Sequence, residues 1–335
     1  MYNNNILTIR NIDCINLINL VASIKSNYLS VVKISFENCE FYEDMYYLFE
    51  PLYDLPCLTS IEFIHAKCAT NIIKCNFSPI SYITELVLDK QHCSFDIDFT
   101  QLPNLKSLLC SVSLHHPILD LSQLTLLEEI SCNSSGITYL IVPSSVIYIE
   151  CKDNNLTDFD LSHCNSLKYL DCKDNMIDNI AIPSSLVTLD INNNKLKQLD
   201  LSHTQICYIT CINNMINNMI LPRSVIYVDC SSNNLHDIYL INYHNLAYFA
   251  CSDNNVEEFV IVSDSLIKMK LCKNIVGTID IRDTPNLESL VCNNNKLYEI
   301  DGITRPNKLR DLVYYGNNFD EVSLIELQTL ESVFA

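Results

Sequence analysis

Tryptophan is absent from this 335-residue chain, and glycine occurs only four times. So few glycines leave no glycine-rich loop whose backbone amides could cradle a phosphate. They also leave no sharp strand-to-helix elbow of the kind that exposes a nucleophilic serine. Basic residues are scarce as well: 21 Lys and Arg stand against 40 Asp and Glu, a net charge of −19. Nucleic acid and anionic membrane surfaces bind through clustered Lys and Arg, and no such cluster exists, so neither is an expected partner. No uninterrupted apolar run of about 18 residues is present, and no membrane-spanning helix is expected. The first residues, MYNNNILTIRN, lack the basic start and apolar core of a secretory leader.

Cysteine, by contrast, is abundant. Seventeen cysteines, an odd number, are spread through the whole length rather than packed into a short segment. That distribution points to reduced, buried thiols rather than a disulfide framework, and so to a reducing, cytoplasmic setting.

The chain aligns on itself many times. In one-letter code the repeated pattern is L-x-x-L-x-C-x-x-N-x-L-x-x-L-x-L. Segments starting at Val146, Leu167, Leu186, Ile206, Val225, Leu246, Leu266, Leu287 and Leu309 fit its first eleven positions, and weaker copies start at Val31, Leu58, Ile83, Leu105 and Leu127. The first spacings between starts are 27, 25, 22 and 22 residues; later ones fall between 19 and 22. The short copies alternate. One kind is preceded by a Pro-Ser-Ser-like turn (Pro143-Ser144-Ser145, Pro183-Ser184-Ser185), the other by Leu-Ser-His (Leu161-Ser162-His163, Leu201-Ser202-His203). A pair of about 40 residues therefore reads as the unit of duplication.

Each position has a physical reading. The first, fourth and sixth are apolar, and the alternation from the third to the sixth fits a half-buried strand. The ninth is Asn in nine consecutive copies, from Asn154 to Asn317. A buried amide repeated at each turn can satisfy the backbone groups left free where the strand ends. The sixth is Cys at Cys110, Cys132, Cys151, Cys172, Cys211, Cys230, Cys251 and Cys292. Cysteine behaves there as a small hydrophobe, and parallel stacked side chains do not converge as a disulfide requires. No close Cys-x-x-Cys pair suggests zinc, so no metal or other cofactor is expected.

This pattern resembles the leucine-rich-repeat family, whose strand segment is L-x-x-L-x-L-x-x-N-x-L. The match covers nearly the whole chain and is most specific over residues 127–320. The short copies are similar to bacterial-effector-type and viral leucine-rich repeats. The resemblance implies an α/β solenoid, curved, with a parallel β-sheet on its concave side and a mostly extended convex side in the short repeats. The copy at Val31 departs from the pattern, with Cys39 where Asn is expected, and resembles the longer, helix-containing class. Helical periodicity over 14–27 and 43–55 supports a helical convex side in the N-terminal repeats, although Pro51 interrupts the second stretch. The expected organisation is an N-terminal cap and longer repeats over 1–82, short repeats over 83–320, and a C-terminal cap over 321–335.

No catalytic constellation emerges, and the chain does not read as an enzyme. The histidines are scattered: His163 and His203 fall in matching turns two copies apart, and His115-His116 sit in a weak copy. The third and fifth positions are more informative, because they point away from the core. The third reads Tyr148, Tyr169, Thr188, Tyr208, Tyr227, Tyr248, and the fifth reads Glu150, Asp171, Asp190, Thr210, Asp229, Ala250. A stripe of tyrosines thus runs beside a stripe of carboxylates, ending at Lys268 and Lys270. Carboxylates at strand spacing repel one another, and Lys152 and Lys173 stand close enough in sequence to relieve them. Between residues 120 and 260, 17 acidic side chains face 6 basic ones. Tyrosine offers a large rigid surface with a polar tip, which suits an interface. The expectation is a protein-interaction scaffold that binds a basic protein through this face. The alternative is a substrate-recognition adaptor in a ubiquitin-ligase-type or pathogen-effector complex, which would place the chain in a host cell's cytoplasm.

Overall fold

The computed structural model describes residues 2–3, 5–24, 30–41, 44–45, 48–53, 55–68, 72–89, 93–111, 116–303 and 308–321. The chain forms two compact units, Met1–Pro183 and Ser184–Ala335. Both are parallel-strand solenoids built on the repeat.

In the first unit the main sheet is formed in order by Tyr2–Asn3, Ile6–Arg10, Lys33–Glu37, Ser60–Ile64, Glu85–Asp89, Ser107–Ser111, Glu129–Ser131, Tyr148–Glu150 and Tyr169–Asp171. All run parallel except the first, which turns back antiparallel on Ile6–Arg10. In the second unit the sheet is Thr188–Asp190, Tyr208–Thr210, Tyr227–Asp229, Tyr248–Ala250, Lys268–Lys270, Ser289–Val291 and Asp311–Val313, all parallel. Third positions pair with third positions at every step, so each repeat column becomes a column in space. A slip of one residue would turn the apolar fourth and sixth positions outward, and for that reason the register holds.

The ninth-position asparagines do the stitching. Asn233 is typical: its Nδ2 donates to the carbonyl of Cys211 in the preceding turn (2.9 Å) and to Cys230 in its own (3.0 Å), while its Oδ1 accepts from the Ile216 amide (2.9 Å). Asn175, Asn254, Asn274 and Asn295 repeat the arrangement. Where Asn is missing, the acceptor is still served. Ser135 donates through Oγ to Cys110 O (2.5 Å), and the Cys39 thiol donates to Ile9 O (3.5 Å). One residue earlier, the backbone takes the left-handed conformation, with φ between 53° and 59° at Ser134, Asp153, Asp174, Asn193, Asn213, Ser232, Asp253, Lys273 and Asn294. Short polar side chains tolerate that region, and the last copy uses Gly316 there at φ 71°.

Core volume follows repeat length. The long N-terminal turns place Phe36 and Phe63 at the sixth position, stacked with centroids 5.3 Å apart, with Phe49, Phe77 and Phe95 packed behind them. In the shorter turns the same position holds the cysteines, all eight of them free and buried. A shorter loop encloses less space, and a small hydrophobe fills it without overpacking. Burial pushes the Cys110 and Cys292 thiols up to about 12.

Opposite the main sheet the chain is mostly extended. Among the described residues one α-helix forms, Cys14–Ile24, with Asp13 capping the amide of Asn16 (3.0 Å). The described residues of 43–55 form no α-helix, and the helical convex side read for the N-terminal repeats is corrected accordingly. Asp44–Met45 instead pairs with Ile72–Cys75 of the next turn, and Glu50–Leu52 makes a single 3₁₀ turn at Pro51. Strands stack at about 4.8 Å, whereas a helix is about 10 Å wide, so pairing with the neighbouring turn prevails over local periodicity. The expected C-terminal cap lies outside the described residues beyond 321.

The two turn types have distinct chemistry. After the strands Ile118–Asp120, Asp158–Asp160, Gln198–Asp200 and Thr278–Asp280, the final Asp accepts the amide two residues on, at Ser122, Ser162, Ser202 and Arg282 (2.9–3.0 Å). In the other type that amide is replaced by Pro143, Pro183 or Pro222, and the Asp by Ile141, Ala181 or Ile220. The last serine of the Pro-Ser-Ser turn donates to the preceding turn instead, from Ser145 to Leu127 O (2.7 Å) and from Ser224 to Ile206 O (2.8 Å). Three of the Asp-type strands pair with the Pro-type strand that follows, Ile118–Asp120 with Tyr139–Ile141, Asp158–Asp160 with Asn179–Ala181 and Gln198–Asp200 with Asn218–Ile220, whereas Thr278–Asp280 pairs with Glu299–Asp301.

Removing one asparagine should expose this dependence. Asn233→Ala leaves a buried carbonyl and amide without partners and should cost roughly 2–4 kcal/mol in urea unfolding. Its exposed neighbour Asn234→Ala should cost less than about 0.5 kcal/mol. Thiol labelling should separate exposed Cys57, modified at once in the folded protein, from the eight sixth-position cysteines, which should react only in denaturant.

Candidate protein-binding face

The columns at the third and fifth positions lie where strand alternation directs them, on the face of the main sheet away from the core. In the first unit Tyr148 and Tyr169 oppose each other on adjacent strands, with ring centroids 4.4 Å apart and planes within 6°. The Tyr148 hydroxyl donates to Glu150 Oε1 (2.6 Å), and Glu150 Oε2 accepts from Ser131 Oγ and Asn133 Nδ2 (both 3.2 Å). Partial burial, and then the bond to Glu150, raise the Tyr148 phenol. Burial by itself would also raise Glu150, but the donors around it, with the Lys152 charge, hold it below its ordinary value. Asp171 is 3% exposed. Its Oδ1 accepts the Lys173 amide (3.3 Å) and its Oδ2 lies 3.4 Å from Lys173 Nζ. Asp171 is therefore bound into the turn rather than presented on the surface.

In the second unit Tyr227 and Tyr248 form a matching stack, 4.3 Å between centroids and 4° between planes. Lys270 Nζ sits 5.8 Å from the Tyr248 ring centroid. Burial, then the neighbouring Tyr248 and Asp229, push the Tyr227 phenol up to about 12. Tyr208, opposite Tyr227 on the preceding strand, is 48% exposed. Asp190 and Asp229 are half-buried, and each accepts the amide two residues on, from Asn192 (3.2 Å) and Ser231 (3.1 Å). This turn-closing role of the fifth-position Asp was not apparent from the repeat. The signal was the same Asp-x-x spacing that caps the strands of the opposite wall.

The histidines join none of this. His163 Nε2 lies 3.0 Å from Val142 O, bonded to the backbone of the preceding turn, and His116 is exposed, while His115 lies outside the described residues. Among the described residues no group of three or more His, Cys, Asp or Glu is placed to hold a metal ion, and no helix is long and apolar enough to cross a membrane.

No protein-family model and no curated protein matches the chain. Solved structures do. A leucine-rich-repeat protein of Leptospira interrogans superposes with a TM-score of 0.66 at 17% identity, over 90% of this chain and 88% of that one. The chain has the leucine-rich-repeat fold. The functional domain of InlJ from Listeria monocytogenes, which includes a cysteine ladder, gives a TM-score of 0.62 at 26% identity over 73% of this chain. The alignment spans 61% of the InlJ chain, under two thirds of its length. The Drosophila Toll–Spatzle complex gives 0.57 at 14% identity, over 89% of this chain and 52% of that one.

The stacked phenols make a prediction in alkali. An unfolded tyrosine ionises near about 10, and Tyr227 does so near about 12 in the folded protein. Its contribution to stability is therefore whole below the lower value and lost as pH rises through the higher one. Near-ultraviolet titration should show a late-ionising phenol that disappears in Tyr227→Phe, and this variant should lose less stability across that window than the parent. If all phenols titrate together near the ordinary value, the stack does not hold in solution.

Proposed function

We propose that this leucine-rich-repeat protein is an intracellular binding scaffold, not an enzyme, and that it recognises a basic protein partner. The surface is the face bearing Tyr148 and Tyr169 with Glu150 and Asp171 in the first unit, and Tyr208, Tyr227 and Tyr248 with Asp190 and Asp229 in the second. The observation that carries the reading is the Tyr227–Tyr248 stack with a lysine ammonium over its ring. The chain's own Lys270 takes the position that a partner's Arg or Lys would take on Tyr208 or across the first unit's pair.

The internal bonds divide the labour among the carboxylates. Glu150 and Asp171 orient the tyrosine and close the turn, so they act through their neighbours. Asp190 and Asp229 each close the turn through one oxygen, and the second oxygen of Asp229 faces a cation. A guanidinium stacked on an exposed phenol contributes about 0.5–2 kcal/mol, and the carboxylates accelerate encounter and pair with the partner. Toll, whose fold this chain shares, forms a complex with Spatzle, which is a precedent for a protein ligand on such a scaffold. The free, buried thiols support a reducing location.

Selection of a random peptide library on the immobilised protein tests the reading. Recovered sequences should be rich in Arg. Tyr208→Ala with Tyr227→Ala should accelerate their dissociation about tenfold or more. Asp190→Asn with Asp229→Asn, which keeps an oxygen for the turn, should slow association and flatten its salt dependence. Binders indifferent to all four substitutions would place the recognition surface elsewhere.

A further inference from the structure

In the wall opposite the main sheet the strands pair in groups, and the groups stop. In the first unit one group ends at Ser94–Asp96 and the next begins at Ile118–Asp120, with no pairing between them. A cleft of about 270 Å³ separates the two edges. Its floor is apolar, with Phe95, Phe99, Leu119 and Leu121 buried beneath it. Asp96, Asp98 and Asp120 stand along it, and among the described residues no Lys or Arg lines it.

The strand pairing fixes which way the edge faces. Pro117 O accepts from the Thr138 amide (2.7 Å) and the Leu121 amide donates to Ile141 O (2.8 Å), both towards the following strand. Alternate residues of a parallel strand direct their backbone groups to opposite neighbours. Ile118 and Asp120 therefore turn their amides and carbonyls into the cleft. An open edge over an apolar floor is a template for an added strand. A helix would leave that edge unmet, because its own backbone groups are already paired.

We propose that the cleft receives an extended segment of a basic protein partner as an added strand. The segment pairs its backbone with Ile118 and Asp120 and buries an apolar side chain above Phe95 and Leu119. It sets Lys or Arg among Asp96, Asp98 and Asp120. Alternating apolar and basic residues satisfy both demands, since successive side chains of a strand face opposite ways. Asp120 already gives Oδ1 to the Ser122 amide (3.0 Å), so its Oδ2 is the oxygen that meets the cation. The corresponding break in the second unit, between Asn218–Ile220 and Asp237–Ile241, is smaller, about 150 Å³, and has a single carboxylate, Asp237, in its lining. The site therefore belongs to the first unit. It is independent of the tyrosine-bearing face.

The probe is a labelled heptapeptide of alternating lysine and valine with blocked ends, titrated by fluorescence anisotropy into the full chain at low salt. The peptide should bind and should slow amide exchange at Ile118 and Asp120. N-methylation of alternate backbone amides should weaken it about tenfold or more, because it removes the donors that pair with the edge. Asp96→Asn, Asp98→Asn and Asp120→Asn combined keep the turn acceptors and remove the charge; they should weaken binding by a similar factor and flatten its salt dependence. Ile118→Pro deletes one amide of the edge and should act alike. The slowed amide exchange at Ile118 and Asp120 should persist in Tyr208→Ala with Tyr227→Ala, which separates this site from the main-sheet face. Absence of binding overturns the proposal, and so does an N-methylated peptide that binds as well as the parent. Unchanged affinity in the Asn variant overturns it too, whether or not Ile118→Pro folds.

Discussion

From Asn154 onward each turn of this chain hangs on the side-chain amide of its ninth residue. A strand of three residues forms few ladder bonds, and the carbonyl that follows it points into a core where no water can serve it. Asn supplies donors to two turns and an acceptor to the amide leaving the turn before. The left-handed residue in front of it aims the amide inward. The sixth-position residue is then confined between neighbours of the same kind, which is why a small, polarisable thiol recurs there while the long N-terminal turns need phenylalanine. Loss of one link is felt by both adjoining turns, so the stability of each unit is a sum of neighbour terms rather than a property of one central core.

The same economy governs the exposed columns. An aspartate at the fifth position satisfies the amide two residues on, and Tyr148 with Tyr169, like Tyr227 with Tyr248, stacks across adjacent strands. Both serve the fold before any partner arrives. Binding capacity therefore resides in what each group has left over: the second oxygen of Asp229 and the uncovered half of Tyr208. Glu150 and Asp171, with their oxygens already engaged, preorganise rather than capture.

Much of this was legible in the sequence because the repeat converts a one-dimensional period into a spatial column. Strand positions, the inward turn of Cys110 through Cys292, the asparagine links and the pairing of tyrosine with tyrosine all follow from register. The misreading at 43–55 has a plain cause. Apolar residues there recur at helical spacing, but Asp44–Met45 finds a strand partner some 30 residues on, and no local window reports a contact at that distance. Ser135 and Cys39 fill the asparagine role by chemistry, not by letter, and a pattern search passes over them. The break between Ser94–Asp96 and Ile118–Asp120 was invisible for the opposite reason. It falls where the long turns give way to short ones, and a gap is a relation between two turns that neither spells out.

The alternation of Asp-closed and Pro-closed turns on the wall opposite the main sheet bears on how such a chain can change length. Over residues 118–222 a strand that ends in Asp pairs forward onto one that ends before Pro, whereas farther on Asp280 pairs with Asp301 and Arg282 lies between the two carboxylates. Excising a single turn would bring two strands of one kind together, either two Asp carboxylates side by side or two Pro-closed strands in succession. Excising two turns restores the sequence of kinds and every bond that depends on it. The heritable quantum of this architecture is thus the double turn, and lengthening or shortening by about 40 residues is the step that leaves the wall intact.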